Sequence, residues 1–269
     1  MKPKTRLTVQ SLRELKQSGE KIAMLTAYDY FTARLLDACG VDVILVGDTV
    51  GMAFGGHDTT VGVRLDHIVY HAEIISRASK RAMVIGDMPF LTYQLTIDHA
   101  VENAGRLMQD GKVQAVKLEG GRAMVPVIKR ILRAGIPVMG HLGLTPQSVH
   151  RFGGFRVQGK DEESAIRLRE AAKALEDAGC FAIVLEAIPS ELAGEVTASL
   201  AIPTIGIGAG PHCDGQVLVT PDMLGITNFE AKYLKKFADV RSVMQAGIES
   251  YVSDVKAKKF PTEEQSYQS

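Results

Sequence analysis

The chain has 269 residues, 46% of them hydrophobic, and its 31 basic side chains balance 31 acidic ones. This length can bury the core of one large α/β domain, and a formal net charge of zero provides no basic surface for nucleic acid or an anionic membrane. The three cysteines are widely spaced and the amino terminus lacks the apolar segment of a secretory signal, so we expect a cytoplasmic protein without a disulfide framework. No uncharged apolar run approaches the roughly 20 residues of a membrane helix.

Short apolar runs alternate with amphipathic stretches along most of the chain. The first predicted element is a helix over 8–17, and the last is a long helix over 233–255 that precedes a polar tail over 260–269. Between them the predicted strands lie at 22–28, 41–48, 82–87, 115–119, 137–142, 181–186, 203–208 and 216–219. Predicted helices follow several of these strands, at 67–79, 97–109, 123–134, 163–178 and 191–200. Strands that are apolar throughout, with helices between them, are typical of a parallel sheet covered on both faces.

The number and order of these elements predict the fold. Eight strands with interposed helices indicate a single (β/α)8 barrel domain over 1–269, with an additional amino-terminal helix inside 1–20, because about 250 residues is the usual size of this fold. Only residues 209–215 separate the last two strands, so we predict that the seventh helix is missing or reduced to a turn. A doubly wound open sheet is the alternative that this pattern leaves open.

Five of the predicted strands end on an ionisable side chain. These residues are Asp48, Asp87, Glu119, His141 and Glu186. The carboxyl ends of all strands open onto one face of a parallel barrel, which is where barrel enzymes have their active sites. A single carboxylate at a strand end often caps the next helix, but five ionisable groups at successive strands favour a functional cluster.

The charge of such a cluster favours a bound metal ion. Lys117 lies two residues before Glu119, so both side chains face the same interior, yet one ammonium group cannot balance four carboxylates. Oxygen ligands without a cysteine favour a hard ion such as Mg2+, and zinc is the weaker alternative because HEXXH-type spacing is absent. A metal could chelate a 2-oxo acid and acidify the neighbouring carbon, while a free carboxylate removes the proton. The spacing alone does not identify that carboxylate.

Seven segments in the same order carry a resemblance to a known family. They read VGDTVGM, GDMPF, VKLEGG, GHLGLTPQS, FGGFRVQGK, VLEAIP and IPTIGIGAGPHCDGQVLV, and the similarity runs from about Thr5 to the FPTEEQSY tail. By these motifs the chain resembles the ketopantoate hydroxymethyltransferases. The resemblance implies a (β/α)8 TIM barrel of the phosphoenolpyruvate mutase/isocitrate lyase superfamily. It also implies transfer of a hydroxymethyl group from 5,10-methylenetetrahydrofolate to 3-methyl-2-oxobutanoate, forming 2-dehydropantoate, which is the first committed step toward pantothenate and coenzyme A.

The same resemblance implies roles for individual residues and an assembly. Asp48, Asp87 and Glu119 match the family's Mg2+ positions, with one ion per subunit, and Glu186 matches the proton acceptor. The residues that match oxo-acid positions are Asp48, Thr49, Asp87, Lys117 and His141. The family usually has Ser where this chain has Thr49, and this difference bears on binding strength more than on mechanism. A homo-oligomer, typically a decamer, is also implied.

Two other functions are alternatives. A carbon–carbon lyase or mutase of the phosphoenolpyruvate mutase/isocitrate lyase type could use the same metal scaffold, although such enzymes usually carry a cysteine-bearing KKCGH-type loop that this sequence lacks. A barrel that binds ligands without catalysis is the other alternative. The presence of Asp48, Lys117 and Glu186 together disfavours it.

Overall fold

The computed structural model describes residues 5–268 and contains the predicted barrel. Eight parallel strands close in sequence order, and the last strand pairs with the first. The strands are β1 (Ile22–Thr26), β2 (Val43–Val46), β3 (Met83–Asp87), β4 (Ala115–Lys117), β5 (Val138–Gly143), β6 (Ala182–Glu186), β7 (Thr204–Ile207) and β8 (Gly215–Leu218). Each overlaps a predicted strand. Because β8 pairs with β1 and closes the sheet, the open-sheet alternative is wrong. The predicted limits at residues 1–4 and 269 lie outside the described residues.

Helices separate most of the strands along the chain and follow the last one. In chain order they are α1 (Val9–Ser18), α2 (Tyr30–Cys39), α3 (Val50–Ala53), α4 (Leu65–Ala78), α5 (Ile97–Gln109), α6 (Val125–Arg133), α7 (Val149–Phe152), α8 (Glu162–Ala178), α9 (Ser190–Ser199), α10 (Thr220–Met223) and α11 (Val240–Lys256). Short 3-10 turns occupy Arg122–Met124, Pro146–Ser148 and Glu263–Gln265. The segment 208–214 between β7 and β8 contains turns and no helix, as predicted.

The ends of α8 follow from its sequence. The Asp161 side chain accepts a hydrogen bond from Ser164 N and so satisfies one of the free amides of the first turn. Gly179 ends the helix at a φ of +106°, a left-handed conformation that glycine adopts without steric cost. The face of α8 that packs on the sheet contains Ala165, Leu168, Ala171, Ala172 and Leu175. This spacing of three and four residues is the amphipathic pattern of a helix that covers a core.

Two layers of apolar side chains fix which way each strand residue points. One fills the barrel interior and includes Val43, Met83, Ala115 and Met139. The other lies between the sheet and the helices and includes Ile44, Val84 and Val116 among its members. Since side chains alternate along a strand, residues at even spacing from the interior set also point inward. Asp87, Lys117 and His141 lie at such even spacings, so they point into the carboxyl end of the interior. Asp48 lies at an odd spacing from Val43 and follows the end of β2, so alternation does not fix its direction.

The helix predicted over 233–255 is wrong in its first part, because α11 begins only at Val240. The Asp239 side chain caps α11 by accepting a hydrogen bond from Ser242 N. The backbone before it follows another path, in which Phe237 N donates to Met223 O at 2.7 Å. The apolar periodicity of the sequence continues through residues 233–239, so it did not indicate that the helix begins only after Asp239.

Contacts within the chain define two compact units, one ending at Val219 and the other beginning at Thr220. The first contains all eight strands and α1 to α9, and the second contains α10 and α11. Within residues 5–268, no helix combines the length and apolar character needed to cross a membrane.

Candidate active site

A buried cluster of ionisable groups lies at the carboxyl end of the barrel interior. Asp48, Asp87, Lys117, Glu119 and His141 are each 5% exposed or less. Asp87 is the last residue of β3 and His141 lies within β5, whereas Asp48 and Glu119 follow β2 and β4 at a distance of two residues. The alternation that turns Ala115 and Met139 into the barrel also turns Lys117 and His141 inward.

Asp87 links two other members of the cluster. Lys117 Nζ lies 2.7 Å from Asp87 Oδ1, and both side chains are almost fully buried. The other oxygen, Asp87 Oδ2, accepts a hydrogen bond of 3.2 Å from Asp48 N. The ends of β2, β3 and β4 are therefore joined through one carboxylate.

His141 lies between two carboxylates. Its Nδ1 is 3.4 Å from Glu119 Oε1 and its Nε2 is 3.2 Å from Glu186 Oε2. Burial and the nearby Lys117 ammonium lower the pKa of His141, but Glu119 and Glu186 outweigh them and raise it to about 9. The imidazole is therefore protonated at neutral pH and can donate to both carboxylates.

The buried charges do not balance. Burial, followed by the nearby Asp87 and Glu119, raises the pKa of Asp48 well above its usual value. Burial also raises the pKa of Asp87, against the opposing effect of Lys117. The pKa of Lys117 itself lies above its usual value because the surrounding carboxylates outweigh the desolvation of its ammonium group. Four carboxylates thus face two cations, which leaves two negative charges uncompensated when all are ionised.

These residues fit a hard divalent cation by chemistry and by charge. The carboxylates supply only oxygen donors, which Mg2+ prefers, and a charge of +2 would compensate the excess. Across residues 5–268, no group of three or more His, Cys, Asp or Glu side chains already stands in a metal-binding arrangement. Asp87 Oδ1 instead pairs with Lys117, and Asp48 Oδ2 accepts from the side chain of Gln147. These contacts occupy one oxygen of each carboxylate, so an ion would bind through the oxygens that remain.

Thr49 belongs to a second group of contacts beside the cluster. Its hydroxyl and that of the buried Tyr28 form a hydrogen bond of 2.5 Å. The ring of Phe54 packs edge-on against Tyr28 with the centroids 5.1 Å apart. Thr49 directly follows Asp48, so a hydroxyl group lies next to the acidic cluster.

Sequence analysis missed three polar residues in this region: Tyr28, Tyr93 and Gln147. Tyr93 and Gln147 are buried, and both hydrogen-bond to Glu119. They lie in loops, where hydrophobic periodicity gives no information on direction. For Tyr93 and Gln147, the available signal was that they follow the charged residues Asp87 and His141 within eight positions.

Glu186 differs from the other carboxylates in its exposure. Its side chain is 14% exposed, compared with 2% for Asp87 and 3% for Glu119. Neither a lysine nor the Gln147 amide contacts it among the described hydrogen bonds and ion pairs, and its recorded side-chain neighbour is His141. A partly accessible carboxylate beside a cationic imidazole can act as a general base.

Comparison with known proteins identifies similar sequences along nearly the whole chain. A family model described as Ketopantoate hydroxymethyltransferase matches residues 6–263. The 3-methyl-2-oxobutanoate hydroxymethyltransferase of Chlorobaculum parvum is 52% identical over 97% of this chain and 96% of its own length. The enzyme of the same name from Syntrophomonas wolfei is 54% identical over 96% of this chain and 94% of its own length.

A solved structure supports the fold. A crystal structure of 2,3-dimethylmalate lyase, described as a PEP mutase/isocitrate lyase superfamily member, aligns with a TM-score of 0.61 over 97% of this chain and 89% of that one. The two sequences are 20% identical, so the likeness concerns architecture. The barrel type implied by the sequence motifs is confirmed.

Proposed function

The chain belongs to the ketopantoate hydroxymethyltransferase family, and we propose that it transfers a hydroxymethyl group from 5,10-methylenetetrahydrofolate to 3-methyl-2-oxobutanoate. The product is 2-dehydropantoate, so the reaction is the first committed step toward pantothenate and coenzyme A. The observation that carries this proposal is the similarity to curated enzymes over nearly the full length of both chains. The low identity to the lyase structure gives no comparable support to a lyase or mutase activity.

Asp48, Asp87 and Glu119 would hold one Mg2+ per subunit. The ion would supply Lewis-acid chemistry, drawing electron density from the oxo-acid and making its C3–H more acidic. The excess of buried negative charge supports this assignment. The carboxylates of Asp48 and Asp87 would also lie next to the bound oxo-acid.

Lys117, Thr49 and His141 would bind and orient the oxo-acid. The Lys117 ammonium offers positive charge to the substrate carboxylate in a site from which water is largely excluded. The Thr49 hydroxyl can donate a hydrogen bond to the same group, since Tyr28 Oη can donate its own proton to Thr49 Oγ1. His141 would line the pocket with a cationic ring.

Glu186 would be the general base that removes the C3 proton. His141 Nε2 lies 3.2 Å from Glu186 Oε2, which supports an oriented carboxylate. The electron pair of the broken C3–H bond then forms the new bond to the methylene carbon of the folate. The methylene carbon accepts this pair after one of its two bonds to folate nitrogen has broken to give the iminium form. Water then displaces the second nitrogen and provides the hydroxyl oxygen, and the two nitrogens take up the proton removed from C3 and one proton of the water.

The proposal includes a cytoplasmic homo-oligomer, with a decamer as the assembly. Free cysteines at Cys39, Cys180 and Cys213 agree with a reducing compartment. Large apolar side chains on two packed helices support self-association: Phe31 and Leu35 on α2 are 82% and 59% exposed, and Tyr70 on α4 is 65% exposed.

Turnover with the two proposed substrates tests the function. We expect the purified protein with Mg2+ to form 2-dehydropantoate, detected by proton NMR, and EDTA to reduce the rate at least 100-fold by removing the Lewis acid. Excess Mg2+ should restore the rate, which separates chelation from denaturation. Absence of product from a protein whose circular dichroism shows it folded would contradict the proposal.

A further inference from the structure

Gln147 connects two of the proposed metal-binding carboxylates. It lies in the 3-10 turn Pro146–Ser148 after β5 and is 5% exposed. Its backbone N donates to Glu119 Oε2 at 3.0 Å. Its side-chain Nε2 donates to Asp48 Oδ2 at 2.8 Å and to Met88 O at 3.0 Å. One neutral residue thus contacts one oxygen of each carboxylate.

Tyr93 fixes the orientation of this amide. Tyr93 is 1% exposed, and its hydroxyl donates to Gln147 Oε1 at 2.7 Å while accepting from Glu119 N at 3.1 Å. Both amide protons of Gln147 are used by Asp48 and Met88. A rotated amide would place its oxygen against the Asp48 carboxylate and the Met88 carbonyl, neither of which can donate a hydrogen bond to it. The arrangement therefore permits one orientation only.

We propose that Gln147 is a positioning residue that, held by Tyr93, sets the orientation of Asp48 and Glu119 and thereby the affinity of the site for a divalent cation. This inference rests on the metal site of the proposed function. The amide adds no charge to a cluster that already carries excess negative charge. Its side-chain amide occupies one oxygen of Asp48 and its backbone N occupies one oxygen of Glu119, so the remaining oxygens of these carboxylates are directed by Gln147 rather than free to rotate. Replacing the side chain removes the contact to Asp48 and the bond by which Tyr93 holds the turn.

Gln147 also donates to Met88 O, so its loss could destabilise the turn without any effect on the metal site. A control variant separates this structural role from the positioning role. Gln114 provides the matched control. Its Oε1 accepts from Val84 N at 2.8 Å and from Arg6 Nη1 at 3.0 Å, and its Nε2 donates to Lys112 O. It precedes β4, at the end of the barrel opposite the carboxylate cluster. Both glutamines therefore contribute several hydrogen bonds, but only one touches the proposed ligands.

The test compares Gln147→Met with Gln114→Met by calorimetric titration of the EDTA-dialysed proteins with MgCl2. Methionine keeps the length of the side chain and removes the amide. Both variants should unfold at a lower temperature. We expect the Kd for Mg2+ to rise about 10-fold or more in Gln147→Met, the usual effect of losing a group that orients metal ligands, and to stay within twofold in Gln114→Met.

Tyr93→Phe is the second variant, and it keeps the buried ring while removing the hydroxyl that orients the amide. It should also raise the Kd for Mg2+, by at least threefold. Combined with Gln147→Met, it should give less than the product of the two separate effects, because both act through the same amide. A Kd within twofold of the unchanged protein in both Gln147→Met and Tyr93→Phe overturns the inference.

The titration and the turnover assay fail independently. If the unchanged protein binds Mg2+ but does not convert 3-methyl-2-oxobutanoate, the proposed function fails, and the Kd of Gln147→Met still decides the role of Gln147. If the unchanged protein binds no Mg2+, the inference is overturned, and turnover still decides the function.

Discussion

Glu186 and His141 form the pair on which the proposed proton transfer depends. Since the pKa of His141 is raised to about 9, the ring stays cationic while Glu186 Oε2 lies 3.2 Å away. A cation at this distance attracts the carboxylate and so holds Oε2 beside the ring. The imidazolium therefore orients the base, and Glu186 itself removes the C3 proton in the proposed reaction.

Replacing Glu186 by Gln removes the base while keeping its shape. We expect loss of at least 100-fold in the exchange of the C3 proton of 3-methyl-2-oxobutanoate with D2O, measured by proton NMR. Binding of Mg2+ and the oxo-acid should change little. Glu191→Gln, at an exposed position of α9, is the matched control and should exchange at the unchanged rate. Exchange that persists in Glu186→Gln would identify another base.

The Thr49 hydroxyl provides a second test at this scale. Thr49→Val is nearly isosteric and removes the hydroxyl that bonds to Tyr28. A hydrogen bond to a charged group contributes about 1.5–3 kcal/mol, so we expect the KM for the oxo-acid to rise about 10-fold or more. Thr49→Ser keeps the hydroxyl and should stay within about threefold. Equal KM values for the Val and Ser variants would show that the hydroxyl does not bind substrate.

Individual residues differ in how far the sequence could predict them. Asp87, Lys117 and His141 were predictable because they lie on strands, where alternation fixes the direction of each side chain. Gln147 and Tyr93 were not, because they lie in loops and their positions depend on the path of the backbone. Their role follows from hydrogen bonds to residues 28 and 54 positions away in the sequence, a separation that no local pattern reveals.

The hydrophobic pattern predicted which helices and strands exist better than it predicted the residues at which each begins and ends. α5 agrees with the prediction at both ends because Thr96 caps it and its apolar face is regular. The predicted strand over 41–48 shrinks to Val43–Val46, because apolar character continues beyond the residues that form ladder hydrogen bonds. The start of α11 was missed because the apolar periodicity continues on both sides of Asp239, so the capping residue did not stand out in the sequence.

The close approach of β5 and β6 sets the position of Glu186. Gly143 has a φ of +90°, and a Cβ there would overlap the carbonyl oxygen of Glu186 and approach Ile188 Cγ2 to 2.8 Å. Leu144 N donates to that same carbonyl at 2.8 Å. The absence of a side chain at Gly143 thus allows the backbone contact that holds Glu186 beside His141.

Gly143→Ala should therefore reduce both stability and activity. Left-handed strain costs about 1–2 kcal/mol, and overlap adds about 1–3 kcal/mol. Gly135→Ala is the matched control, since its φ is +84° but nothing lies within 4 Å of an added Cβ. Thermal unfolding and kcat measure the two effects. We expect both variants to be less stable and only Gly143→Ala to lose kcat; an unchanged kcat would mean that the β5–β6 contact does not position the base.

The two ends of the barrel differ in how their charged side chains are paired. At the amino ends of the strands, two ion pairs join opposite charges, Arg81–Asp42 at 2.7 Å and Lys16–Asp214 at 2.8 Å. At the carboxyl ends, carboxylates exceed cations, and the pKa values of Asp48 and Asp87 are raised. Paired charges add to the stability of the fold, whereas the uncompensated ones destabilise it until a cation binds. Mg2+ should therefore stabilise the folded protein by linkage.

The apolar residues exposed on α2 and α4 lead to a prediction for the assembly. Phe31 and Leu35 are one helical turn apart, and α2 packs on the helix that carries Tyr70. Covering these side chains would remove apolar surface from water, which favours association of identical chains. We expect the unchanged protein to have the mass of a decamer by light scattering after gel filtration.

A double substitution on α2, Phe31→Asp with Leu35→Asp, should reduce that mass, because two buried charges would oppose association by several kcal/mol at each contact. Both positions are exposed within a single chain, so circular dichroism should stay unchanged. Ile166→Asp on α8 is the control: Ile166 is 45% exposed, but its neighbours Arg167 and Arg169 form ion pairs on the surface. The control should keep the full mass. A double variant of undiminished mass would exclude this surface from the assembly, because two carboxylates at a buried apolar contact cannot be tolerated without separation of the chains.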